Sequence, residues 1–446
     1  MIEPAPHIKS RSPDTLTPYS GNARTHSKKQ ISQIARSIKQ FGFTNPILID
    51  EENTILAGHG RLEAAKQLGL KAVPTLSIGH LSAAQKRAYI LADNKLAEKA
   101  GWDIEILKIE LGYLAEFESD FDITLSGFEM AEIDIVLGDK VASEDASTGG
   151  DPDDDLTDLP EKAVTQRGDV WMLGPHRLIC GDAKSDADIE TLLAGMNTPQ
   201  MIFTDPPYNV PIDGHVCGSG SVKHREFAEG VGEMSSDAFT RFLTNTLNPA
   251  AARLSDGGLA FICMDWRHIA ELMSAGSKVF DEFKNLCVWA KTNGGMGSLY
   301  RSRHELVFVF KKGAAAHINN VELGKHGRYR TNVWDYAGIN TFRKDRDAEL
   351  AMHPTVKPTA LVADAILDVT HRGDVVLDVF CGSGTTLLAA ERTGRVAACL
   401  EIDPIYCDVA ITRWQRRTGE TAILAGSGAS FDELSLERLL NGQGKT

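Results

Sequence analysis

The most constraining feature of the sequence is an apolar run over residues 375–380 that enters a glycine-rich turn at residues 381–384 and opens a helical segment at Thr385. A strand, a tight turn and a helix N-terminus together point backbone N–H groups at a ligand, and glycines let that ligand come close. A second apolar run ends at Glu401, roughly 20 residues further on, where an acid is placed to accept hydrogen bonds from both hydroxyls of a ribose. No P-loop lysine follows the glycines. The pattern predicts a nucleoside-type ligand on an α/β domain, and a purely structural turn is the alternative.

The second half of the chain repeats this rhythm of strand and helix. Apolar strand candidates alternate with helical segments, at residues 178–180, 201–204, 259–264, 286–290, 306–310, 375–380 and 396–400. Such alternation is typical of a mostly parallel, doubly wound sheet. We therefore predict a domain at residues 166–424, followed by a C-terminal tail at 425–446 that includes a short helix around 431–440.

The first part of the chain predicts a smaller α/β domain over residues 1–140, with a helical extension. Ser27 and Gly42 bracket a helix with apolar residues at helical spacing. The further elements expected here are strands at 46–50, 54–57 and 73–78 and helices at 58–68 and 82–99.

Charge is distributed very unevenly around the overall net charge of -14. Residues 141–165 hold eight acids, one lysine and few apolar residues, so we predict an acidic flexible linker there. Residues 284–346 hold twelve lysines or arginines and four acids, a net charge of +8. A groove that tracks phosphates needs only such a local basic surface, so DNA is expected here. A merely solvated basic face is the alternative.

Composition points to a soluble cytoplasmic protein without a metal site. No apolar run is long enough to cross a bilayer, and the N-terminus lacks the features of a secretory signal. The seven cysteines are scattered singly, with no CxxC pair and no histidine pattern for zinc.

A second chemical motif follows the strand pattern at residues 201–204: Asp205, Pro206, Pro207 and Tyr208 come at its carboxyl end, where open α/β sheets keep their active sites. The prolines fix the backbone and lack N–H groups, which leaves their carbonyls as acceptors. Hydrogen bonds to the Asp205 carboxylate and the Pro206 carbonyl would localise the lone pair of an exocyclic base amine for attack on a methyl sulfonium. Tyr208 offers a stacking face to an extruded base, a contact worth about 1–3 kcal/mol. A proline-rich turn that merely ends a strand is the alternative.

These motifs closely resemble those of the DNA amino-methyltransferases in the permuted order called the beta class, over about residues 166–424. The resemblance implies a Rossmann-like, S-adenosylmethionine-dependent methyltransferase domain that acts on a flipped base of double-stranded DNA. In this family Asp before Pro-Pro-Tyr points to the N6 of adenine, whereas Ser more often marks the N4 of cytosine. The implied enzyme is a site-specific adenine methyltransferase, with N4-cytosine methylation as the alternative.

The resemblance also implies roles for individual residues. The cofactor is expected at Asp182, Lys357, Asp378, Phe380, Gly382, Ser383, Gly384, Thr385 and Glu401. Lys357 belongs to a segment, residues 353–358, that resembles the family's HPxxKP element. The base pocket and DNA are expected at Asn209, Lys291, Arg303, His304, Arg328 and Arg330, with a target-recognition region at about residues 312–352.

Residues 10–100 resemble the ParB-like nucleotide-binding domain, with Gly58, His59, Gly60 and Arg61 as the marker. N–H groups at the helix start and Arg61 would hold a phosphate. The family's arginine-rich box has several arginines, and only Arg61 remains here. The resemblance therefore leaves nucleotide binding, a structural role and DNA contact open. A homodimer is a separate possibility that the sequence does not decide.

Rival functions differ in the residues they need. A cytosine C5 methyltransferase uses a thiolate nucleophile, usually in a Pro-Cys dipeptide, and this chain contains none. Cys381 in the glycine turn is better interpreted as a small packing residue. RNA methylation, and a partition-like DNA-binding protein with an inactive methyltransferase domain, are the remaining alternatives.

Overall fold

The structure is a computed structural model. It describes residues 7–97, 99–116, 122–138, 151–155, 159–210, 232, 234–292, 294, 299–321, 330–338 and 356–441. The chain forms two compact units, residues 1–137 and residues 138–446. Among the described helices, none is both long enough and apolar enough to cross a membrane.

The first unit combines a four-stranded sheet with five α-helices in the described residues. Its strands are β1 (Ile8–Arg11), β2 (Ile47–Ile49), β3 (Ile55–Ala57) and β4 (Val73–Ser77), and its helices are α1 (Lys28–Phe41), α2 (His59–Gln67), α3 (Ala83–Ala97), α4 (Ile104–Glu116) and α5 (Met130–Leu137). The sheet order is β1-β4-β2-β3, with β2 and β4 parallel and the other pairs antiparallel. Strand β1 was not predicted, because three of its four residues are exposed and it shows little apolar alternation.

Local signals in the sequence set the helix ends of this unit. The Ser27 hydroxyl accepts a hydrogen bond from the Gln30 N–H and caps α1. Gly42 ends that helix with a φ of 80°, which a side chain would disfavour. The core between sheet and helices is aliphatic and includes Ile47, Ile49, Ile55, Leu62 and Val73.

The second unit is built on a ten-stranded sheet. Its strands are β5 (Val170–Leu173), β6 (His176–Cys180), β7 (Met201–Thr204), β8 (Leu259–Met264), β9 (Glu282–Ala290), β10 (His304–Lys311), β11 (Val333–Asp335), β12 (Val375–Asp378), β13 (Val396–Glu401) and β14 (Ile423–Leu424). Its helices are α6 (Asp186–Leu193), α7 (Ser236–Ala251), α8 (Ile269–Val279), α9 (Thr359–Val369), α10 (Thr385–Thr393), α11 (Pro404–Thr418) and α12 (Phe431–Asn441).

The strand order is β11-β9-β10-β8-β7-β12-β13-β6-β5-β14. Its centre, β8-β7-β12-β13-β6, is entirely parallel, which confirms the predicted α/β, doubly wound class. The segments predicted as strands at 286–290 and 306–310 do form β9 and β10, but β10 runs antiparallel to both of its neighbours. The sheet is therefore parallel in the middle and mixed toward its edges.

The connections of the central strands locate a crevice. From β7 the chain passes through α7 to β8 on one side, and from β12 it passes through α10 to β13 on the other. Neighbouring strands whose connections leave in opposite directions form a topological switch point, where ligands bind beyond the carboxyl ends. The residues that follow Thr204 and Asp378 lie at this point.

The acidic segment Asp151–Asp155 packs onto the second unit, so the predicted flexible linker over residues 141–165 is wrong for this segment. The Arg413 guanidinium donates to the Asp153 carbonyl (2.7 Å), and Arg417 pairs with the Asp153 carboxylate (2.6 Å). The Asp154 carboxylate accepts the N–H of Thr359, the first residue of α9, at 2.8 Å. The four acids of this segment look solvated in sequence, but three of them pair with arginines, Asp151 with Arg392 of α10 and Asp153 and Asp155 with Arg417 and Arg416 of α11. Residues 139–150 and 156–158 lie outside the described part of the chain.

The predicted C-terminal tail belongs to the second unit as well. The Phe431 ring lies edge-on to the buried Trp171, with centroids 5.3 Å apart, and Leu434 joins the same core. Arg438 donates to the Val164 carbonyl at 2.7 Å and to the Asp169 carboxylate at 2.5 Å. Helix α12 therefore packs against the end of the sheet that β5 and β14 form.

Replacing Arg413 by methionine tests the packing of Asp151–Asp155. Arg413 is 3% exposed and also donates to the carbonyl and hydroxyl of Ser383, at 2.6 and 2.9 Å. Methionine keeps the aliphatic stem but leaves these acceptors unpaired, so we expect Arg413→Met to cost about 3 kcal/mol of stability. The measurement is the midpoint temperature of thermal unfolding. Arg416→Met is the matched control on the same helix, since its pair with Asp155 is long and exposed. Equal melting temperatures for Arg413→Met and Arg416→Met would show that Arg413 does not stabilise the packing of Asp151–Asp155.

Candidate active site

Asp205 follows the fully buried strand β7 and lies at the switch point. Its two carboxylate oxygens each accept one hydrogen bond from a side chain. The Tyr208 hydroxyl donates to Oδ1 at 2.7 Å, and the Lys357 ammonium donates to Oδ2 at 2.5 Å. The carboxylate is thus fixed in rotation, and each oxygen keeps a lone pair for a further donor.

A second acid, Glu305, reaches the same place from the other side. Because β10 is antiparallel to β8, the first residues of β10 lie beside the carboxyl end of β8, with Leu306 opposite Met264. Glu305 Oε2 lies 3.1 Å from Lys357 Nζ and 3.4 Å from the Tyr208 hydroxyl. Its other oxygen pairs with Lys291, which follows β9. Glu305 was not singled out among the predicted site residues, although it belongs to the segment of residues 300–306 that resembles a base-pocket motif of the amino-methyltransferases.

Burial and charge set the electrostatics of these groups. Burial raises the pKa of Asp205, and Glu305 raises it further, while Lys357 and Tyr208 act in the opposite direction. Burial alone would also raise the pKa of Glu305, but Lys357 and Lys291 outweigh it and bring that pKa to about 2. Burial opposes the charge on Lys357, yet Asp205 and Glu305 raise its pKa above the usual range. The site therefore holds two lysine charges against two acids.

The loop that carries Asp205 is held in place by its neighbours. Pro206 is buried. The Tyr208 side chain packs against both of the large hydrophobic clusters of the second unit, and Lys357 Nζ lies 5.4 Å from the centroid of its ring. Asn209 has a φ of 53°. Its side-chain amide donates to the Met234 carbonyl (2.8 Å) and accepts hydrogen bonds from the backbone N–H groups of Gly232 and Met234 (3.1 Å each). Asn209, predicted for the base pocket, is thus engaged in shaping the loop.

The glycine turn lies across the crevice, at the end of β12. Gly382 and Gly384 have φ values of 52° and 89°, a conformation that disfavours a side chain. A Cβ on Gly384 would also stand 2.9 Å from the Cβ of Ala410, so helices α10 and α11 approach closely only with glycine here. Thr385 then begins α10, and Ser383 is held from behind by Arg413.

Asp378 joins the two strand ends. One carboxylate oxygen accepts from the Thr204 hydroxyl (2.8 Å) and the Phe380 N–H (3.0 Å), and the other accepts from the Thr386 hydroxyl (2.6 Å). Burial raises its pKa to about 6, although these three donors oppose the shift. The structure thus turns Asp378, predicted to bind cofactor, toward the protein, where it fixes the turn on which Phe380 and Gly382 stand.

Glu401 ends β13, and Asp182 lies two residues beyond Cys180, which ends the neighbouring parallel strand β6 and pairs with Glu401. Glu401 Oε2 accepts from the Gly382 N–H (2.7 Å), and Oε1 accepts from the Asp403 N–H (2.9 Å). One lone pair on each oxygen is left over, which suits the two hydroxyls of a ribose. Burial raises the Glu401 pKa to about 7. The half-exposed Asp182 accepts from the Lys184 N–H (2.9 Å).

The predicted DNA-contacting residues fall into different surroundings. Arg303 and His304 are exposed at the start of β10. Arg330 is turned inward, pairing with Asp364 (2.8 Å) and Asp368 (2.9 Å), so neutralising it would break internal ion pairs as well as any contact with DNA. Its DNA contact stays a prediction. Arg328, residues 353–355 and most of the predicted target-recognition region lie outside the described residues.

The marker residues of the first unit are also engaged internally. Gly58 is the N-cap residue of α2 and has a φ of 101°, and a Cβ there would stand 2.9 Å from a guanidinium nitrogen of Arg61. Arg61 donates to the Pro46 carbonyl (3.3 Å), and its pKa is lowered by burial. His59 accepts from the Tyr19 N–H (3.2 Å). Gly60 packs against the Ile34 side chain, 3.0 Å from where a Cβ would stand. A phosphate at these residues stays a prediction.

Comparison with known families matches different parts of the chain to different families. The model of the DNA methylases of the N6/N4 type matches residues 200–412. The model of the ParB N-terminal domain matches residues 6–95, and that of the ParB-methyltransferase HTH domain matches residues 105–167. The last match begins in α4, within what the sequence had indicated only as a helical extension.

Individual relatives repeat the same pattern. The ParB-like nuclease domain-containing protein YnaK of Escherichia coli (strain K12) is 53% identical over 72 residues, which is 16% of this chain and 83% of that protein. The type II methyltransferase M.HpaI of Haemophilus parainfluenzae is 25% identical over 257 residues, 53% of this chain and 74% of that enzyme. The type II methyltransferase M2.DpnII of Streptococcus pneumoniae is 28% identical over 221 residues, 48% of this chain and 81% of that enzyme.

The chain is a DNA methyltransferase that belongs to the N6/N4 family, and its N-terminal part belongs to the ParB-like proteins. Its methyl donor is S-adenosylmethionine, as in the rest of the methyltransferase family. The nucleoside half of that cofactor fits the chemistry of the groups described above: a ribose acceptor at Glu401, a glycine turn open to close approach, and Asp182 beside them.

Proposed function

We propose that this protein methylates the N6 of adenine at specific sites in double-stranded DNA, with Asp205 as the group that activates the amine. The observation that carries the proposal is the fixed Asp205 carboxylate at the switch point, one strand away from the glycine turn. The family includes both N6 and N4 enzymes. Adenine is supported by Asp205, which stands where cytosine-N4 enzymes of the resembling class more often carry serine.

The residues of the loop divide the work on the base. An exocyclic amine is a poor nucleophile because its lone pair is delocalised into the ring. Its two N–H groups donate to the Asp205 carboxylate and the Pro206 carbonyl, which favours a tetrahedral nitrogen with a localised lone pair. Tyr208 stacks on the extruded base and, through its hydroxyl, holds Asp205 in place.

The cofactor-binding residues lie at the carboxyl ends of the next three strands, β12, β13 and β6. S-adenosylmethionine supplies an electrophilic methyl group on sulfur. Glu401 holds the ribose, the turn at Gly382 and Gly384 admits the cofactor to the backbone, and Asp182 lies near the adenine. Asp378 and Arg413 keep the turn in its conformation from within the protein. Lys291, Arg303 and His304 border the DNA side of the site.

Removing the carboxylate tests the role of Asp205. We expect Asp205→Ala to lower tritiated-methyl transfer to duplex DNA by roughly 100-fold or more, because the amine loses its acceptor. Calorimetry should show largely unchanged binding of S-adenosylmethionine, since the carboxylate acts on the base. Full activity in this variant would move the catalytic centre elsewhere.

The pKa of Glu401 predicts a pH dependence of cofactor binding. Burial raises the pKa of Glu401 to about 7, and only the ionised carboxylate can accept hydrogen bonds from both ribose hydroxyls. Affinity for S-adenosylhomocysteine should therefore rise about tenfold from about pH 6 to about pH 8. Glu401→Gln should bind weakly and show no such rise, and the exposed Glu437→Gln should behave as the wild type. A flat profile in the wild type would contradict the ribose role.

Base identity is best read from DNA itself. Sequencing that reports modified bases, on DNA from cells that express the protein, should show N6-methyladenine at one recurring sequence and none in cells that express Asp205→Ala. N4-methylcytosine at such a site would overturn the adenine assignment and leave the amino-methyltransferase class intact. Methylation of RNA with unmodified DNA would overturn the choice of substrate.

A further inference from the structure

Five side chains form one continuous set of contacts at the carboxyl ends of the central strands. They are Asp205, Tyr208, Lys291, Glu305 and Lys357, here called the Asp205 network. Lys357 is its centre, since its ammonium lies 2.5 Å from Asp205 Oδ2 and 3.1 Å from Glu305 Oε2. The sequence had indicated Lys357 as a cofactor residue, but its described contacts connect it to the residue that acts on the base.

The network is built as a buried, balanced set of charges. The Lys357 side chain is 4% exposed, and those of Asp205 and Glu305 are 22% and 17% exposed. A buried ammonium is costly unless carboxylates surround it, and a carboxylate facing an extruded base is costly unless a cation supports it. Glu305 in turn has its second oxygen paired with Lys291, which is 28% exposed. Each acid therefore has a cation, and the outermost cation meets solvent.

The four charged residues come from four different places in the fold, three at the ends of strands of one sheet and one before a helix. Asp205 follows β7, Lys291 follows β9, and Glu305 lies in β10. Lys357 immediately precedes Pro358 and α9, whose first N–H is held by the carboxylate of Asp154. A cation anchored by separate elements has little freedom, which is what a group that fixes another side chain requires.

We propose that Lys357, held by Glu305 and Lys291, is the positioning residue that orients the Asp205 carboxylate and supplies its counter-charge during methyl transfer. The inference rests on the proposed function of Asp205 and deepens it. Lys357 acts through Asp205 and does not touch the reacting atoms. Glu305 draws Lys357 away from Asp205 in part, so it sets how strongly the catalytic carboxylate is neutralised.

This arrangement predicts that the loss of Lys357 and the loss of Glu305 change the pKa of Asp205 in opposite directions. The groups facing Asp205 are Tyr208 on its own loop, Lys357, Glu305 on β10, Cys263 on β8 and, through its field, Asp378 on β12. Burial and Glu305 raise the Asp205 pKa, while Lys357 lowers it. Asp205 must be ionised to accept an N–H, so activity is lost as the pH falls through its pKa. This fall in activity is the acidic limb of the pH profile. Losing Lys357 should move the acidic limb to higher pH, and losing Glu305 should move it to lower pH.

The test is the pH profile of the single-turnover methylation rate, with the full chain saturated in cofactor and duplex DNA. Lys357→Met should shift the acidic limb to higher pH by about one unit or more, and lower the plateau rate on the order of 100-fold. Glu305→Gln should shift the limb to lower pH. Lys357→Arg should restore the limb to near its wild-type position, because the charge returns. Limbs that shift in the same direction, or not at all, would overturn the proposal.

Three further measurements guard against simpler explanations. S-adenosylhomocysteine should bind Lys357→Met with unchanged affinity, and a large loss would make Lys357 a cofactor residue instead. The double variant Lys357→Met with Glu305→Gln leaves Asp205 and Lys291 balanced, so it should fold even if Lys357→Met does not, with a limb between those of the single variants. Lys278→Met, an exposed lysine of α8, should leave the limb unmoved.

Asp205→Ala separates failure of this proposal from failure of the proposed function. If Asp205→Ala is inactive while the two limbs fail to move apart, Lys357 is not the counter-charge but Asp205 keeps its role. If Asp205→Ala methylates DNA normally, the function assigned to Asp205 fails, and the role of Lys357 fails with it.

Discussion

The carboxylate of Asp378 joins the two strand ends between which methyl transfer is proposed. It accepts hydrogen bonds from Thr204, the last residue before Asp205, and from Thr386 in the first turn of α10. The catalytic loop and the glycine turn are therefore fixed relative to each other through one buried group. Methyl transfer requires the base amine and the methyl group of the cofactor to be aligned, and this alignment depends on a fixed distance between the two loops. The raised pKa of Asp378 reflects the burial that this position demands.

Support for both loops comes from behind the sheet. Arg413 holds Ser383 of the glycine turn and the backbone of Asp153, while the adjacent Asp154 caps α9, the helix that follows Lys357. A short acidic segment thus connects the cofactor side and the Lys357 side of the site. The contacts of Arg413 with Ser383 and Asp153, and of Asp154 with Thr359, join polar groups that are largely buried. Removing one partner therefore leaves the other without a hydrogen bond. The rigidity of the site is therefore distributed over residues far apart in the sequence.

Local motifs explain what the sequence could predict. The strands β7, β12 and β13, the glycine turn and the acid at Glu401 are each coded within a few neighbouring residues, so their positions followed from the sequence. Glu305 could not be placed in this way, because only the antiparallel register of β10 against β8 carries it to Asp205. The segment Asp151–Asp155 was mistaken for a linker because its arginine partners are more than 200 residues away. Strand β14, with two residues, has too little pattern to be recognised.

The most direct measurement of the central claim is an experimental structure of the protein with duplex DNA and S-adenosylhomocysteine. The account predicts one base outside the helix, stacked on Tyr208, with its exocyclic nitrogen about 3 Å from the Asp205 carboxylate. It also predicts the cofactor ribose on Glu401. An extruded base whose exocyclic nitrogen meets other groups, with Asp205 directed elsewhere, would contradict it.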